Sequence, residues 1–161
     1  MRVVVVRHAK AGERSSWEEQ EFERSLNQAG IKQAQAIAEF LKEGTFTALF
    51  SSPYKRCVQT LDPLGDALGL EIKLDERLAE NTTYVALQSF LLSLGGDGFY
   101  VACTHGNVAP ELVEMLIGSN MERVGTPLRC AKGSLWDIEI VRGGVRRISY
   151  REDNFNTVYV G

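Results

Sequence analysis

The chain has 161 residues, 44% of them hydrophobic and 24% charged, with a formal net charge of -3. That length and composition give a globular protein one domain and its core, and a slightly acidic chain has no general attraction for nucleic acid. No apolar run approaches the roughly 20 residues that span a bilayer, and the chain opens on strand-like sequence rather than a signal core. Neither membrane nor nucleic acid is therefore expected as a partner, and the cytoplasm is the expected compartment.

The first element is the run Val3-Val4-Val5-Val6, which stops at Arg7-His8. Four valines in succession have no polar face, so they predict a strand covered on both sides, as in the middle of a parallel α/β sheet. Ligands of such sheets sit beyond the carboxyl ends of the strands, where Arg7 and His8 fall. A surface turn carrying two polar residues is the alternative. Residues 11 to about 26 are charged and without periodicity, which predicts a loop, with a short helical turn around Trp17, able to border a cleft. Its basic residues Lys10, Arg14 and Arg24 can face that cleft or solvent.

Asn27 is placed to cap a helix running to about Glu43, with Ile31, Ala34, Ala38 and Leu41 on one face. Gly44 ends it, and Ala48–Ser51 reads as the next strand of a parallel βαβ unit. Ser52-Pro53 is a helix start signal with Ser52 as N-cap. Lys55 and Arg56 then stand in the first turn, where the helix dipole opposes cations by about 0.3–1 kcal/mol each. A bound phosphate would account for such residues, and extension into water, preferred for Lys55, is the alternative. The helix runs to Gly69 with Pro63 as an irregularity, and Glu71–Leu74 reads as a short edge strand.

Residues 83 to 94 predict an amphipathic helix burying Val85, Leu87, Phe90, Leu91 and Leu94. The strand Tyr100–Thr104 then delivers His105 beside a helix from Asn107 to Leu116. His105 is the second of only two histidines, again closing an apolar run, and Gly106 after it permits close approach by a ligand. Ser134–Ile140 and Val145–Tyr150, joined by a Gly143-Gly144 turn, predict an antiparallel hairpin at the sheet edge with its charges on a solvated face. Cys57, Cys103 and Cys130 are odd in number and lack CxxC spacing, so they are expected as small buried side chains rather than disulfides or zinc ligands.

Three segments, Arg7-His8-Ala9, Ser51-Ser52-Pro53-Tyr54-Lys55-Arg56-Cys57-Val58-Gln59-Thr60 and Thr104-His105-Gly106, resemble in order and spacing the histidine phosphatase (phosphoglycerate mutase-like) superfamily. The Arg-His-Ala-Lys-Ala opening and the Arg24–Gly30 segment are similar to its SixA-type phosphohistidine phosphatase branch, with Ala9 where glycine is commoner and Asn27 where threonine is more usual. The resemblance implies one histidine phosphatase domain over residues 1–161. Its fold would be an α/β three-layer sandwich: a mostly parallel central sheet, helices on both faces and the C-terminal antiparallel hairpin at the edge.

The resemblance also implies site roles. His8 would be the nucleophile, Arg7, Arg56 and His105 would hold the phosphoryl group, and Glu80 in Arg77-Leu78-Ala79-Glu80 would donate a proton. The Gly-x-Trp-Glu-Gly continuation of many mutases is replaced by Asn81-Thr82-Thr83-Tyr84, which disfavours a mutase and leaves a solvated Glu80 as the alternative. Lys10, Arg24 and Asn107 are candidate substrate-binding residues. No cluster of metal-ligand spacing, P-loop or GxSxG elbow occurs, so no metal or cofactor is expected.

The expected activity is thus a metal-independent phosphohydrolase in which neutral imidazole attacks phosphorus and gives a phosphohistidine intermediate. Its partner would be a phosphorylated protein, through phosphohistidine, or a small phosphorylated substrate. A phosphate-binding module without turnover is the alternative class. Recognition falls to residues 11–26, 81–84 and 120–133, and nothing in the sequence sets the oligomeric state.

Overall fold

The computed structural model describes residues 1–14, 20–124 and 127–152, and residues 156–160 along the backbone alone. The turn expected around Trp17 lies outside the described residues. Seven strands form one sheet in the order β3-β2-β4-β1-β5-β6-β7: β1 (Arg2–Arg7), β2 (Ala48–Ser51), β3 (Ile72–Leu74), β4 (Phe99–Thr104), β5 (Leu135–Val141), β6 (Gly144–Glu152) and β7 (Asn156–Val160). From β3 to β1 neighbours run parallel, and from β1 to β7 antiparallel.

The valine run explains why β1 lies in the middle. Side chains alternate across a strand, so Val3 and Val5 enter one core and Val4 and Val6 the other, all at most 1% exposed. Each fully buried valine contributes roughly 1.5–3 kcal/mol, which only a strand covered on both faces can collect four times in succession. Val4 and Val6 meet Ile37, Ala38 and Leu41 of α1 (Gln28–Leu41) and Leu61 and Leu64 of α2 (Lys55–Leu68). Val3 and Val5 share a cluster with Leu87 and Phe90 of α3 (Tyr84–Leu92), Leu112 and Val113 of α4 (Ala109–Ile117), and Trp136, Ile138 and Tyr150. Helices cover both faces, as expected of the α/β sandwich, and the hairpin is extended by β7, which the sequence reading lacked.

Four local expectations are corrected. The hairpin turn is Arg142-Gly143, since Val141 pairs with Gly144, and both turn residues take positive φ, 51° and 76°, as a type I′ connection requires. Val85 is 72% exposed, because α3 packs through Leu87 and Phe90 and presents Tyr84, Val85 and Leu92 to solvent. Asp137, assigned to the solvated face, is buried, and Arg2 grips both its oxygens at 2.8 and 2.6 Å.

The fourth concerns the entry to α2. Asn27 does cap α1 by accepting from the Gly30 N–H at 2.9 Å, but Ser52 does not cap α2, whose first residue is Lys55 and whose N-cap, Tyr54, makes no side-chain cap. The Ser52 hydroxyl is instead 2.8 Å from Nε2 of His105.

Candidate active site

Register brings the two histidines together. Arg7 of β1 pairs with Thr104 of β4, and each strand ends on the next residue in a histidine. The His8 N–H donates to the Thr104 carbonyl at 2.9 Å, and the two imidazole centroids lie 5.5 Å apart, edge to face. On the other side of β4, Ser51 pairs with Cys103, so the chain leaving β2 passes below His105 and enters α2, whose second residue is Arg56. Three neighbouring parallel strands therefore converge His8, His105 and Arg56 on one point.

Thr60 locks this junction. Its hydroxyl donates to the Arg56 carbonyl at 2.7 Å and accepts the Ala9 N–H at 2.9 Å, tying α2 to the end of β1.

Hydrogen bonds select the His8 tautomer. Nδ1 lies 2.8 Å from the Ala9 carbonyl, an acceptor only, so Nδ1 carries the proton and Nε2 keeps its lone pair. Arg56 Nε donates toward that Nε2 at 3.4 Å. Burial, outweighing the help of the Ala9 carbonyl and joined by the charges of Arg56, His105 and Arg7, lowers the His8 pKa from 6.5 to about 3. The ring is therefore neutral at physiological pH, in the state a nucleophile needs.

His105 shows the opposite polarity. Its Nδ1 lies 3.3 Å from the Arg56 guanidinium and its Nε2 2.8 Å from the Ser52 hydroxyl. Since the guanidinium can only donate, Nδ1 accepts and Nε2–H donates to Ser52. The Ser52 contact escaped the sequence reading because a capping serine and a histidine-orienting serine look alike before a proline.

Arg56 is fully buried and its fork is shared widely: the Glu21 carbonyl at 3.0 Å, the Glu21 carboxylate at 3.0 Å, the Glu80 carboxylate at 3.2 Å, and both imidazoles. Glu21 is a partner the sequence did not single out, being one of five glutamates in a charged loop. It stands in a 3-10 turn, Glu21–Glu23, and also accepts both Nε and Nη2 of Arg24, at 3.1 and 2.9 Å. Burial works to raise its pKa, but the guanidiniums of Arg24, Arg56 and Arg14 prevail and hold it below the usual carboxylate range.

Arg7 is less completely partnered. Its Nη1 donates to the Cys130 carbonyl at 2.5 Å, while its buried Nε has no partner. A Cβ on Gly106 would lie 2.6 Å from the Arg7 guanidinium carbon. The space expected there for a ligand is thus first used by Arg7, which gains its place at the cleft because residue 106 has no side chain.

Glu80 is delivered by a 3-10 turn, Glu76–Leu78, held down where Thr104 Oγ donates to the Leu78 carbonyl and Asn107 Nδ2 to the Glu80 carbonyl at 2.8 Å. Its carboxylate reaches into the cleft and accepts from Arg56 and, at 3.3 Å, from Arg14.

The cleft has a volume of about 440 Å³ and is open to solvent; Arg7, His8, Arg14, Arg24, Glu80, Asn107 and Lys132 are among the residues that line it. The candidates Arg24 and Asn107 are thus at the cleft, Arg24 with all three guanidinium nitrogens engaged by Glu21 and the Gly12 carbonyl. Lys10 is exposed and does not line the cleft, its backbone N–H held by Gln33 at 2.9 Å. Lys132, just before β5, was missed because residues 120–133 have no readable pattern. Lys132 is exposed, and desolvation at the cleft edge, then the charges of Arg7, Arg24, Arg14 and Lys10, lower its pKa. Of the cysteines, Cys57 and Cys103 are buried, Cys130 is partly so, and all three are free.

Among the described residues no group of three His, Cys, Asp or Glu side chains is placed to hold a metal ion, and no helix is long and apolar enough to cross a membrane.

The family description "Histidine phosphatase superfamily (branch 1)" matches residues 3–84. An 8-oxo-(d)GTP phosphatase of Mycolicibacterium smegmatis is 33% identical over 145 residues, covering 88% of this chain but only 45% of that protein. The chain therefore spans about half the length of this relative. Among solved structures, the protein histidine phosphatase SixA complexed with tungstate superposes with a TM-score of 0.76 at 18% identity, covering 99% of this chain and 96% of that one. The alpha-ribazole phosphatase from Shigella flexneri does so with a TM-score of 0.72 at 16% identity, covering 90% and 93%. At these identities the two structures establish the shared fold.

Proposed function

Given that the chain belongs to the histidine phosphatase superfamily, we propose that it is a metal-independent phosphohydrolase, one domain over residues 1–161, working through a phosphohistidine on His8. The observation that carries this reading is the 2.8 Å contact of His8 Nδ1 with the Ala9 carbonyl, which commits Nδ1–H there and leaves Nε2 unprotonated, its lone pair turned toward Arg56 beside His105.

In the first step Nε2 attacks phosphorus, the bond to the leaving group breaks, and its electron pair departs with that group. The Nδ1–H bond to Ala9 supports the positive charge left on the ring. Arg7, Arg56 and His105 surround the transferring phosphoryl and offset the charge that builds on its oxygens. In the second step water attacks phosphorus, the Nε2–P bond breaks and the ring regains its lone pair. Glu80 stands where it can serve the leaving group or the attacking water, with Asn107 holding its backbone.

The sequence-level reading of the substrate is protein-borne phosphohistidine. It is supported by the open cleft, which a side chain projecting from another protein can enter, and by the fold shared with SixA. A second reading, a small phosphorylated molecule, is favoured by Arg14 and Lys132 on the cleft wall and by the relative named for 8-oxo-(d)GTP. Hydrolysis of p-nitrophenyl phosphate before and after dialysis against EDTA tests the chemistry: turnover should be unchanged by dialysis. Loss of turnover restored by one divalent ion would overturn the mechanism.

A further inference from the structure

Arg56 is gripped by a residue that stands outside the cleft. Glu21 is not among the residues that line it, yet it meets the guanidinium twice: its carbonyl accepts from Nη1 at 3.0 Å and its carboxylate pairs with Nη2 at 3.0 Å. The same carboxylate accepts from Nε and Nη2 of Arg24 at 3.1 and 2.9 Å and lies 3.3 Å from Arg14. Arg24 and Arg56 are 5% and 0% exposed, so two like charges are held close together out of water, and Glu21 is the anion they share. Burial, then the charge of Arg24, lowers the Arg56 pKa. The other partners of the Arg56 side chain, His8, His105 and Glu80, belong to the site itself and must be shared with substrate. For anion binding alone a carboxylate at this place is a cost, because it weakens the pull of both guanidiniums on a phosphoryl group.

We propose that Glu21 is a positioning residue for phosphoryl transfer: by binding Arg56 through its carbonyl and its carboxylate together, it fixes the plane of the guanidinium, with Nε on Nε2 of His8 and Nη2 beside Nδ1 of His105. The inference rests on the phosphohydrolase reading above and adds to its machinery a residue that acts through Arg56 rather than on substrate. A guanidinium is planar and donates along fixed directions, so two acceptors on two of its nitrogens set its orientation where one would leave it free to swing. Orientation counts for more in the transition state than in binding. A catalytic group displaced by about 1 Å costs on the order of 10²-fold in rate, whereas a cation attracts an anion from many angles. The two effects of Glu21 therefore have opposite signs: its charge opposes anion binding, and its geometry favours the chemical step.

The test is to measure kcat and KM for p-nitrophenyl phosphate, and competitive inhibition by orthophosphate, in the parent, Glu21→Gln, Glu21→Asp and Glu23→Gln, the last an exposed carboxylate in the same 3-10 turn. Glu21→Gln keeps the carbonyl and the reach but gives up the charge that lets one side chain hold two guanidiniums. Its kcat should fall at least tenfold while KM and the orthophosphate Ki stay level or decrease. Glu21→Asp, which keeps the charge and shortens the reach, should also lose kcat severalfold, and Glu23→Gln should stay within twofold of the parent throughout. A kcat within twofold of the parent in Glu21→Gln, or KM and Ki that rise while kcat is preserved, would overturn the positioning role, and turnover by the parent would still uphold the phosphohydrolase reading. Full activity in Glu21→Asp would reduce Glu21 to a counter-charge and overturn the role as well. No turnover by the parent would overturn both readings.

Discussion

β1 begins and ends on an arginine, and the two are used in opposite ways. Arg2 is closed on Asp137 through two bonds of 2.8 and 2.6 Å, and its guanidinium lies 4.3 Å above the Phe99 ring. Arg7 has one bond to a backbone carbonyl and a buried Nε with no partner. Arg56, reached from the same strand end, is spread over two carboxylates and two imidazoles at 3.0–3.4 Å. One end of the strand is complete as folded; the other holds donors that a phosphoryl group would complete. Buried charge alone does not mark a site: what sets this end apart is the buried Nε of Arg7, which has no acceptor within the fold.

That contrast can be broken at its strongest point by exchanging the ends. Arg7→Ala and Arg56→Ala should each lower kcat/KM by roughly 10²-fold or more, as expected for charge-assisted donors to a transition state. Arg2→Ala should leave kcat/KM within a few-fold but lower stability by about 1–3 kcal/mol in urea unfolding, because it strands a buried Asp137 that solvent at the half-exposed Arg2 position only partly rescues. Similar activity losses from Arg2→Ala and Arg7→Ala would erase the distinction.

Glu80 sharpens the comparison, because it is both an acceptor for Arg56 and the candidate acid. Glu80→Gln should depress hydrolysis of an alkyl phosphate by about 10²-fold or more, since an alkoxide leans on a positioned acid. Phosphohistidine and phosphoanhydrides, whose leaving groups depart readily, should be affected far less. Equal small effects on all three would make Glu80 a bystander, and equal large ones would make it a positioning residue for Arg56.

The smallest expected effect is on the pH dependence of stability. His8 takes up a proton at about 3 when folded and near 6.5 when unfolded. Between those values the unfolded chain binds more protons, so this group favours unfolding by up to ~1.4 kcal/mol more per unit as pH falls through the window. Above 6.5 it makes no difference. His8→Asn should flatten the acid side of the urea-stability profile between pH 6 and 4, and an unchanged slope would mean that the ring is not held neutral.

How far the sequence carried this account follows from the kind of signal each residue leaves. β1, β4 and both histidines were legible because an apolar run with no polar face reads as a doubly covered strand, and its end is then a defined place. Arg56 was legible through its motif and its unfavourable place in the first turn of α2. Ser52, Glu21 and Lys132 were not. Ser52 gave the same signal as a helix cap, Glu21 was indistinguishable from its acidic neighbours, and Lys132 reaches the cleft only because β5 pairs antiparallel with β1, a long-range contact without local trace. The turn was misplaced by one residue because Gly143-Gly144 offered two glycines where the backbone accepted Arg142 at φ 51°.

The claim on which the rest depends is that Nε2 of His8 is the nucleophile. Rapid acid-free quench of the parent, His8→Ala and His105→Ala after brief incubation with labelled p-nitrophenyl phosphate, followed by peptide mapping, addresses it directly. The account predicts an acid-labile, base-stable label on the peptide carrying His8 in the parent, and neither label nor turnover in His8→Ala. Label that persists in His8→Ala but vanishes from His105→Ala would contradict it and exchange the roles of the two histidines.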